Sequence, residues 1–333
     1  MTGHYLGRLS PGDPLFGYLR REIFPQLGCD CRDGIRVFGT NGSNAVYIYE
    51  DRASDRKVVG KFFRSRIHPD WEGSLCCLDR EYRGIREFRR YRDSCHYVAR
   101  ILGRNDELDR LLVVEYCSGE PLDSIIMRAI GEHDDGLLYG KLTALAYFLA
   151  TMHNRSACPR KIDFRAACRY FDAVLAGASP LMTENEFRRF AAHRESWAEY
   201  PPMWQDQEVL THGDATPSNF LFGEGLHVTA FDLERSHRAD RVFDTGRVAG
   251  ELKHFFLRAT GNKYASEPFI GHFLWEYACH FPDRDRAFRS ICERVPFYLA
   301  ATLLRIARNG YLDREYRCLL IEEAELALRR QTP

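Results

Sequence analysis

Apolar positions along the chain change period several times, and each change marks an element. Residues Val37 to Tyr49 read as strand, small-residue turn and strand, the turn being Thr40-Asn41-Gly42-Ser43-Asn44. Lys57 to Phe63 alternates as a further strand, which sets Lys61 on one face with Val59 and Phe63, and Val58, Gly60 and Phe62 on the other. Asp79 to Phe88 shifts to helical spacing, with Glu81, Ile85 and Phe88 on one face. Leu111 to Glu115 is a buried strand that runs into the Gly- and Pro-containing connection Tyr116 to Pro121. Leu138, Leu142, Leu145, Leu149 and Met152 then recur at intervals of four and three, a buried helix ending at His153-Asn154. Farther on, Glu208 to Thr211 reads as a short strand, and Phe220 to Phe222 and His227 to Phe231 as two strands around the turn Gly223-Glu224-Gly225.

Length and composition narrow the classes. A chain of 333 residues with 45% hydrophobic content has room for two domains, each with its own core. The 47 basic residues balance 47 acidic ones, so net charge gives no nucleic-acid footprint, and the arginines between Arg80 and Arg100 read as a solvated helix face. No run of about 18 apolar residues and no charged-then-apolar leader occurs, which predicts a soluble, cytoplasmic protein without a membrane partner. The eleven cysteines are scattered and contain no Cys-x-x-Cys, so reduced, mostly buried thiols are expected rather than a zinc site or disulfides. Oligomeric state is not legible.

The chemistry concentrates in His212-Gly213-Asp214-Ala215-Thr216-Pro217-Ser218-Asn219 and, beyond the next hairpin, Phe231-Asp232-Leu233-Glu234. In phosphoryl transfer of the kinase type, a loop aspartate orients the attacking hydroxyl, an asparagine five residues later ligates magnesium, and an aspartate past the hairpin binds the magnesium that bridges the phosphates. Asp214, Asn219 and Asp232 fit these roles, and a small set of oxygen ligands suits magnesium better than zinc. The two motifs resemble those of the aminoglycoside phosphotransferase and choline kinase superfamily. Glycine stands where eukaryotic protein kinases usually carry arginine, which favours the small-molecule branch. The resemblance runs from about residue 35 to 310 and takes in Asp244, which matches a family aspartate that braces the catalytic segment.

The resemblance implies an α+β, bilobal protein-kinase-like fold, with an N-terminal antiparallel β-sheet lobe carrying one main helix and a larger, mostly helical C-terminal lobe. Residues 1–115 would form the nucleotide-binding lobe, 116–121 the hinge, and 122–333 the catalytic and substrate-binding lobe. ATP and Mg²⁺ are the implied cofactors. Gly42 and Ser43 would cover the phosphates, although such a turn is also an ordinary hairpin. Lys61 would hold the α- and β-phosphates, steadied by Glu81, against the alternatives of a solvated strand lysine and of Glu87 as its partner. Adenine would lie against Glu115, Tyr116 and Cys117. His153 reads as a packed core histidine and His212 as a loop brace; Glu234, two residues past Asp232 on the same strand face, would support the metal or face the acceptor.

The acceptor is expected to be a small-molecule hydroxyl compound: a sugar, amino alcohol or related metabolite. Residues 235–333 hold 17 Lys or Arg against 13 Asp or Glu, a poor match to a polycationic aminoglycoside. Phe255, Phe256, Phe269, Phe273, Trp275 and Tyr277 offer the material of a quaternary-amine box, or else are core. Arg235, Arg238, Arg247 and Lys253 suit a neutral or anionic acceptor better, unless they pair with Asp240, Asp244 and Glu251. The rival readings are a protein kinase, although neither Asp-Phe-Gly nor Ala-Pro-Glu follows, an ATP-binding pseudokinase, and a metal-dependent hydrolase using His212 and Asp214, for which no further ligands are evident at helical or strand spacing.

Overall fold

Alternation in the first third of the chain builds a six-stranded antiparallel sheet, β1 (His4–Arg8), β2 (Ile35–Gly39), β3 (Ala45–Asp51), β4 (Lys57–Phe62), β6 (Ile101–Asn105) and β7 (Leu111–Glu115), in the order β1-β2-β3-β4-β7-β6. The computed structural model describes residues 3–40, 45–64, 71–91 and 94–329. Between these strands fall α1 (Pro14–Tyr18), α2 (Trp71–Phe88) and the short β5 (His96–Val98). One face of the sheet, with Tyr49, Val58, Leu111 and Val113, is closed by Leu15, Phe16, Tyr18, Leu19, Ile23 and Phe24. These come from the opening segment, which carries no motif. Lys61, one residue out of phase with that face, meets α2 instead.

The rest of the chain is mostly helical: after β8 (Glu120–Pro121) come α3 (Leu122–Glu132), α4 (Asp135–Ser156), α5 (Phe164–Ala178) and α6 (Glu184–Ala198). Short strands β9 (Val209–Thr211), β10 (Phe220–Phe222), β11 (Val228–Ala230) and β12 (His237–Ala239) follow, then α7 (Val242–Thr260), α8 (Glu267–Ala278), α9 (Arg284–Ala307) and α10 (Arg314–Leu328). Side chains of Asp134, Asp163, Thr183, Asp283 and Asp313 accept backbone N–H groups at the starts of α4, α5, α6, α9 and α10, which satisfies donors that a helix start leaves open. The apolar stripe of α4 is wholly buried.

The chain falls into two compact units, Met1–Glu120 with Thr229–Ser236, and Pro121–Val228 with His237–Pro333. The second crossing, which carries Asp232 into the first unit, has no counterpart in a division at a single hinge. One sequence expectation, that the thiols are mostly buried, changes. Only Cys29, Cys31 and Cys168 are buried, Cys76 and Cys279 being exposed and the other six partly covered; all eleven are free thiols. Phe256, Phe269, Phe273 and Tyr277 are core, Phe256 stacking on Phe269 and Phe269 on Tyr139, in keeping with the core alternative for these aromatics. Among the described residues, no helix is long and apolar enough to cross a membrane.

Helix α7 lies against α9 along Gly246 and Gly250. A Cβ at Gly246 would fall 2.4 Å from Tyr298 Cβ, and one at Gly250 would fall 2.6 Å from Thr302 Cβ. These neighbours are the stiff bases of side chains, so the helices would have to separate. Gly250→Ala gains about 1 kcal/mol of helix propensity but incurs ~1–3 kcal/mol of overpacking, so the melting temperature should fall by a few degrees. Gly271→Ala, on the exposed side of α8 with no atom within 4 Å, should raise it. Calorimetry on the two variants checks the opposite signs.

Candidate active site

In the first unit, β4 delivers Lys61 and α2 delivers Glu81, their charged ends 3.6 Å apart. Lys61 also bonds Asp232 and lies 3.4 Å from Glu234. The segment carrying these two acids is not a strand. β11 stops at Ala230, and Asp232 adopts the left-handed conformation with φ of 62°, a region where aspartate is among the better-tolerated residues. Strand alternation therefore does not explain Glu234; the turn brings both carboxylates to the lysine. Leu233, between them, is fully buried and its backbone hydrogen-bonds Glu81. Gly84 makes the approach possible, because a Cβ there would stand 2.4 Å from the Leu233 carbonyl oxygen.

Three carboxylates around one ammonium leave an excess of negative charge. Burial pushes the Glu81 carboxyl up to about 7 against the pull of Lys61, with Asp232 and Glu234 adding to the rise. For Lys61, burial favours the neutral form, but the three acids outweigh it and hold the ammonium above its ordinary range. Glu81, Asp232 and Glu234 bring oxygens within 4.8 Å of one another, a hard donor set that suits magnesium. Glu81 faces Lys61 and is nearly sealed, whereas the Asp232 and Glu234 side chains keep 31% and 18% exposure. The latter two are thus the better placed to hold a cation.

In the second unit, the loop after β9 is fixed by one buried carboxylate. Asp244, at the start of α7, accepts from the backbone of His212 (2.6 Å) and Gly213 (3.0 Å), and lies 3.1 Å from His153 Nε2. Burial drives the His153 imidazole below its ordinary value, so the ring is neutral, donating from Nε2 to Asp244 and accepting the Tyr277 hydroxyl at Nδ1, 2.7 Å away. Burial works against the Asp244 charge, but the bond from His153 and its other partners outweigh it and hold the carboxyl below its usual range. The turn so held presents Asp214, whose backbone carbonyl accepts the Asn219 side-chain amide at 2.9 Å, leaving Asn219 Oδ1 as the atom that can serve a cation.

Two arginines converge on the Asp214 carboxylate. Arg305 Nη2 lies 2.8 Å and Arg247 Nη1 3.5 Å from Oδ1. Arg305 also reaches Glu251 at 3.3 Å, and Arg247 donates to the Tyr170 hydroxyl at 2.7 Å. Burial raises the Glu251 carboxyl despite both arginines, and Asp214 adds to the rise. Of the basic residues singled out in the sequence, Arg247 is tied here to Asp214. Lys253 pairs with Glu323 (3.0 Å), and Arg238 donates to the Ser156 carbonyl. Arg305 was not singled out, being one arginine among many on a helix far along the chain.

The remaining sequence candidates divide. Gly42 and Ser43 lie outside the described residues. Glu115 ends β7 with its N–H engaged by the Arg100 carbonyl (2.9 Å), and its carboxylate takes Tyr97 and the Arg100 N–H, so its own amide is committed within the sheet. Tyr116 has Lys57 over its ring at 5.5 Å, and Cys117 is partly buried.

A family model described as the phosphotransferase enzyme family matches residues 34–277. The chain belongs to that family and is a phosphotransferase of the aminoglycoside phosphotransferase and choline kinase superfamily. Among solved structures it is similar to an ethanolamine kinase of Plasmodium vivax, at 14% identity over 89% of this chain and 81% of that one, with a TM-score of 0.55. It is similar to aminoglycoside 2'-phosphotransferase-IIIa in its GDP complex, at 14% identity over 94% and 98%, with a TM-score of 0.58. Macrolide 2'-phosphotransferase type I matches at 14% identity over 98% and 100%, with a TM-score of 0.54. At these identities the likeness is one of fold, the protein-kinase-like α+β fold. A search of the curated proteins finds no match.

Asp244→Asn should unfold more easily than the parent by ~2–4 kcal/mol, because an amide can accept on one atom only and its NH₂ would confront a buried N–H. Urea denaturation followed by fluorescence measures the difference, and an unchanged midpoint would refute the bracing role.

Proposed function

We propose that the protein is an ATP- and magnesium-dependent kinase that phosphorylates a hydroxyl of a small molecule. The observation that carries this reading is the Asp214 turn: a carboxylate held by a buried brace, with Asn219 bonded to its own backbone carbonyl. The Lys61, Glu81, Asp232 and Glu234 cluster supports it. So does the likeness to phosphotransferase structures that hold ADP, GDP or ATP.

In this reading Lys61, fixed by Glu81, holds the α- and β-phosphates, and Asp232 and Asn219 are the magnesium ligands, with Glu234 beside Asp232. Gly42 and Ser43 cover the phosphates, and the Tyr116 to Cys117 backbone, next to Glu115, receives the adenine. Magnesium, when bound, neutralises charge on the phosphates. Asp214 orients the acceptor hydroxyl and takes its proton as the new O–P bond forms and the bond from the γ-phosphorus to the bridging oxygen breaks, releasing ADP. Because the transition state is loose, alignment matters more than a strong base. The arginines at Asp214 disfavour a polycationic acceptor such as an aminoglycoside and leave sugars and related hydroxyl metabolites as the class to test.

Magnesium-dependent ADP release against a panel of sugars, amino alcohols, nucleosides and aminoglycosides tests the reading. Asp214→Asn should lower acceptor-dependent kcat by about 10²–10⁴-fold with nucleotide affinity retained. Nucleotide binding without transfer to any small acceptor would refute it and point to a protein acceptor or a pseudokinase.

A further inference from the structure

The charges around Asp214 are ordered from inside to outside. Arg247 and Glu251 side chains keep 3% and 8% exposure, whereas Arg305 and Asp214 keep 18% and 13%. The outer edge of the quartet is thus a guanidinium beside the carboxylate, 2.8 Å apart. An acceptor hydroxyl at hydrogen-bond distance from Asp214 stands within about 6 Å of Arg305, two hydrogen-bond lengths away. Whatever group lies a few bonds from that hydroxyl meets the planar fork that matches carboxylate and phosphate oxygens.

Resting on the kinase reading above, we propose that Arg305, backed by Arg247, binds an anionic group of the acceptor, so that the substrate is a hydroxyl compound bearing a carboxylate or phosphate close to the hydroxyl that receives the phosphoryl group. The anion takes over Arg305 from Asp214, and the carboxylate is released to the hydroxyl. The same exchange makes water a poor acceptor, since water brings no anion to displace the arginine. A cationic acceptor sets its ammonium against the guanidinium instead and is rejected. Glu251 keeps Arg305 from following the anion outward, with Nη1 held at 3.3 Å. The reaction is otherwise ordinary phosphoryl transfer: the acceptor oxygen bonds to the γ-phosphorus of ATP, ADP leaves, and the hydroxyl proton passes to Asp214 and then to solvent.

The test uses matched acceptors with ATP and magnesium: glycerate against glycerol, gluconate against glucose, and glucose 6-phosphate against glucose, with ethanolamine and kanamycin as cations. At least one anionic member should exceed its neutral partner in kcat/KM by roughly tenfold or more, and the carboxylate and phosphate pairs reveal which anion is used. Arg305→Gln should remove most of that preference through loss on the anionic member, and Arg305→Lys should restore part of it. Better turnover of neutral or cationic acceptors by the parent protein, or an equal loss on both members of a pair in Arg305→Gln, would overturn the proposal and leave the kinase reading intact. Absence of Asp214-dependent transfer to every acceptor would overturn both. The parent protein's acceptor preference decides the matter even if the glutamine variant does not fold.

Discussion

Helix α7 can approach α9 as closely as it does because Gly246 and Gly250 carry no side chain where Tyr298 and Thr302 stand. Much of the candidate site in the second unit depends on that approach. The same helix carries Asp244, which holds the turn before Asp214, and Arg247 and Glu251, which lie around it, while α9 contributes Arg305. A further buried knot, Arg294 with Asp206 at 2.8 Å and Asp240 at 2.9 Å, pins α9 to the segment that leads into α7. Buried ion pairs of this kind stabilise little beyond what their desolvation costs, but they penalise any other register of the two helices.

The first unit solves a different problem with the opposite balance of charge. Around Asp214 two arginines match two carboxylates, whereas around Lys61 three carboxylates face one ammonium. The excess there suits the cation proposed above; at Asp214, where the charges balance, it is the outward position of the Arg305 guanidinium on which the proposed anionic acceptor rests. Sequence proximity joins the two sets through the short hairpin between Asn219 and Asp232, so a few residues of backbone serve both.

Much of this was legible in the chain itself. Alternation placed Lys61 on one face of β4, helical spacing selected Glu81 over Glu87, and the structure sets these two charges together. The spacing from Asp214 to Asn219 marked the turn because the chemistry tolerates few alternatives there. Arg305 was illegible for a physical reason: its position depends on how α9 packs, and no local pattern distinguishes it from the other arginines of that helix. Gly84 could have been noticed, since a glycine inside a helical pattern signals close approach of backbone, but its partner, the Leu233 carbonyl, lies far along the chain. The opening segment was opaque because covering a sheet requires only apolar residues of suitable size. Strand reasoning carried past Ala230 also failed, since it does not anticipate a left-handed aspartate.

The return of Thr229–Ser236 to the first unit bears on the order in which the protein can be made. A ribosome that has released the first 120 residues has produced the sheet and α2, yet not Leu233, whose backbone bonds Glu81, nor Asp232, which bonds Lys61. Until more than a hundred further residues have emerged, Glu81 and Lys61 lack Leu233 and Asp232, and the Leu233 carbonyl is missing from above Gly84. The unit that holds the sheet is therefore complete only once residues 229–236 have been made, so its completion waits on synthesis of residues 121–228 of the helical unit.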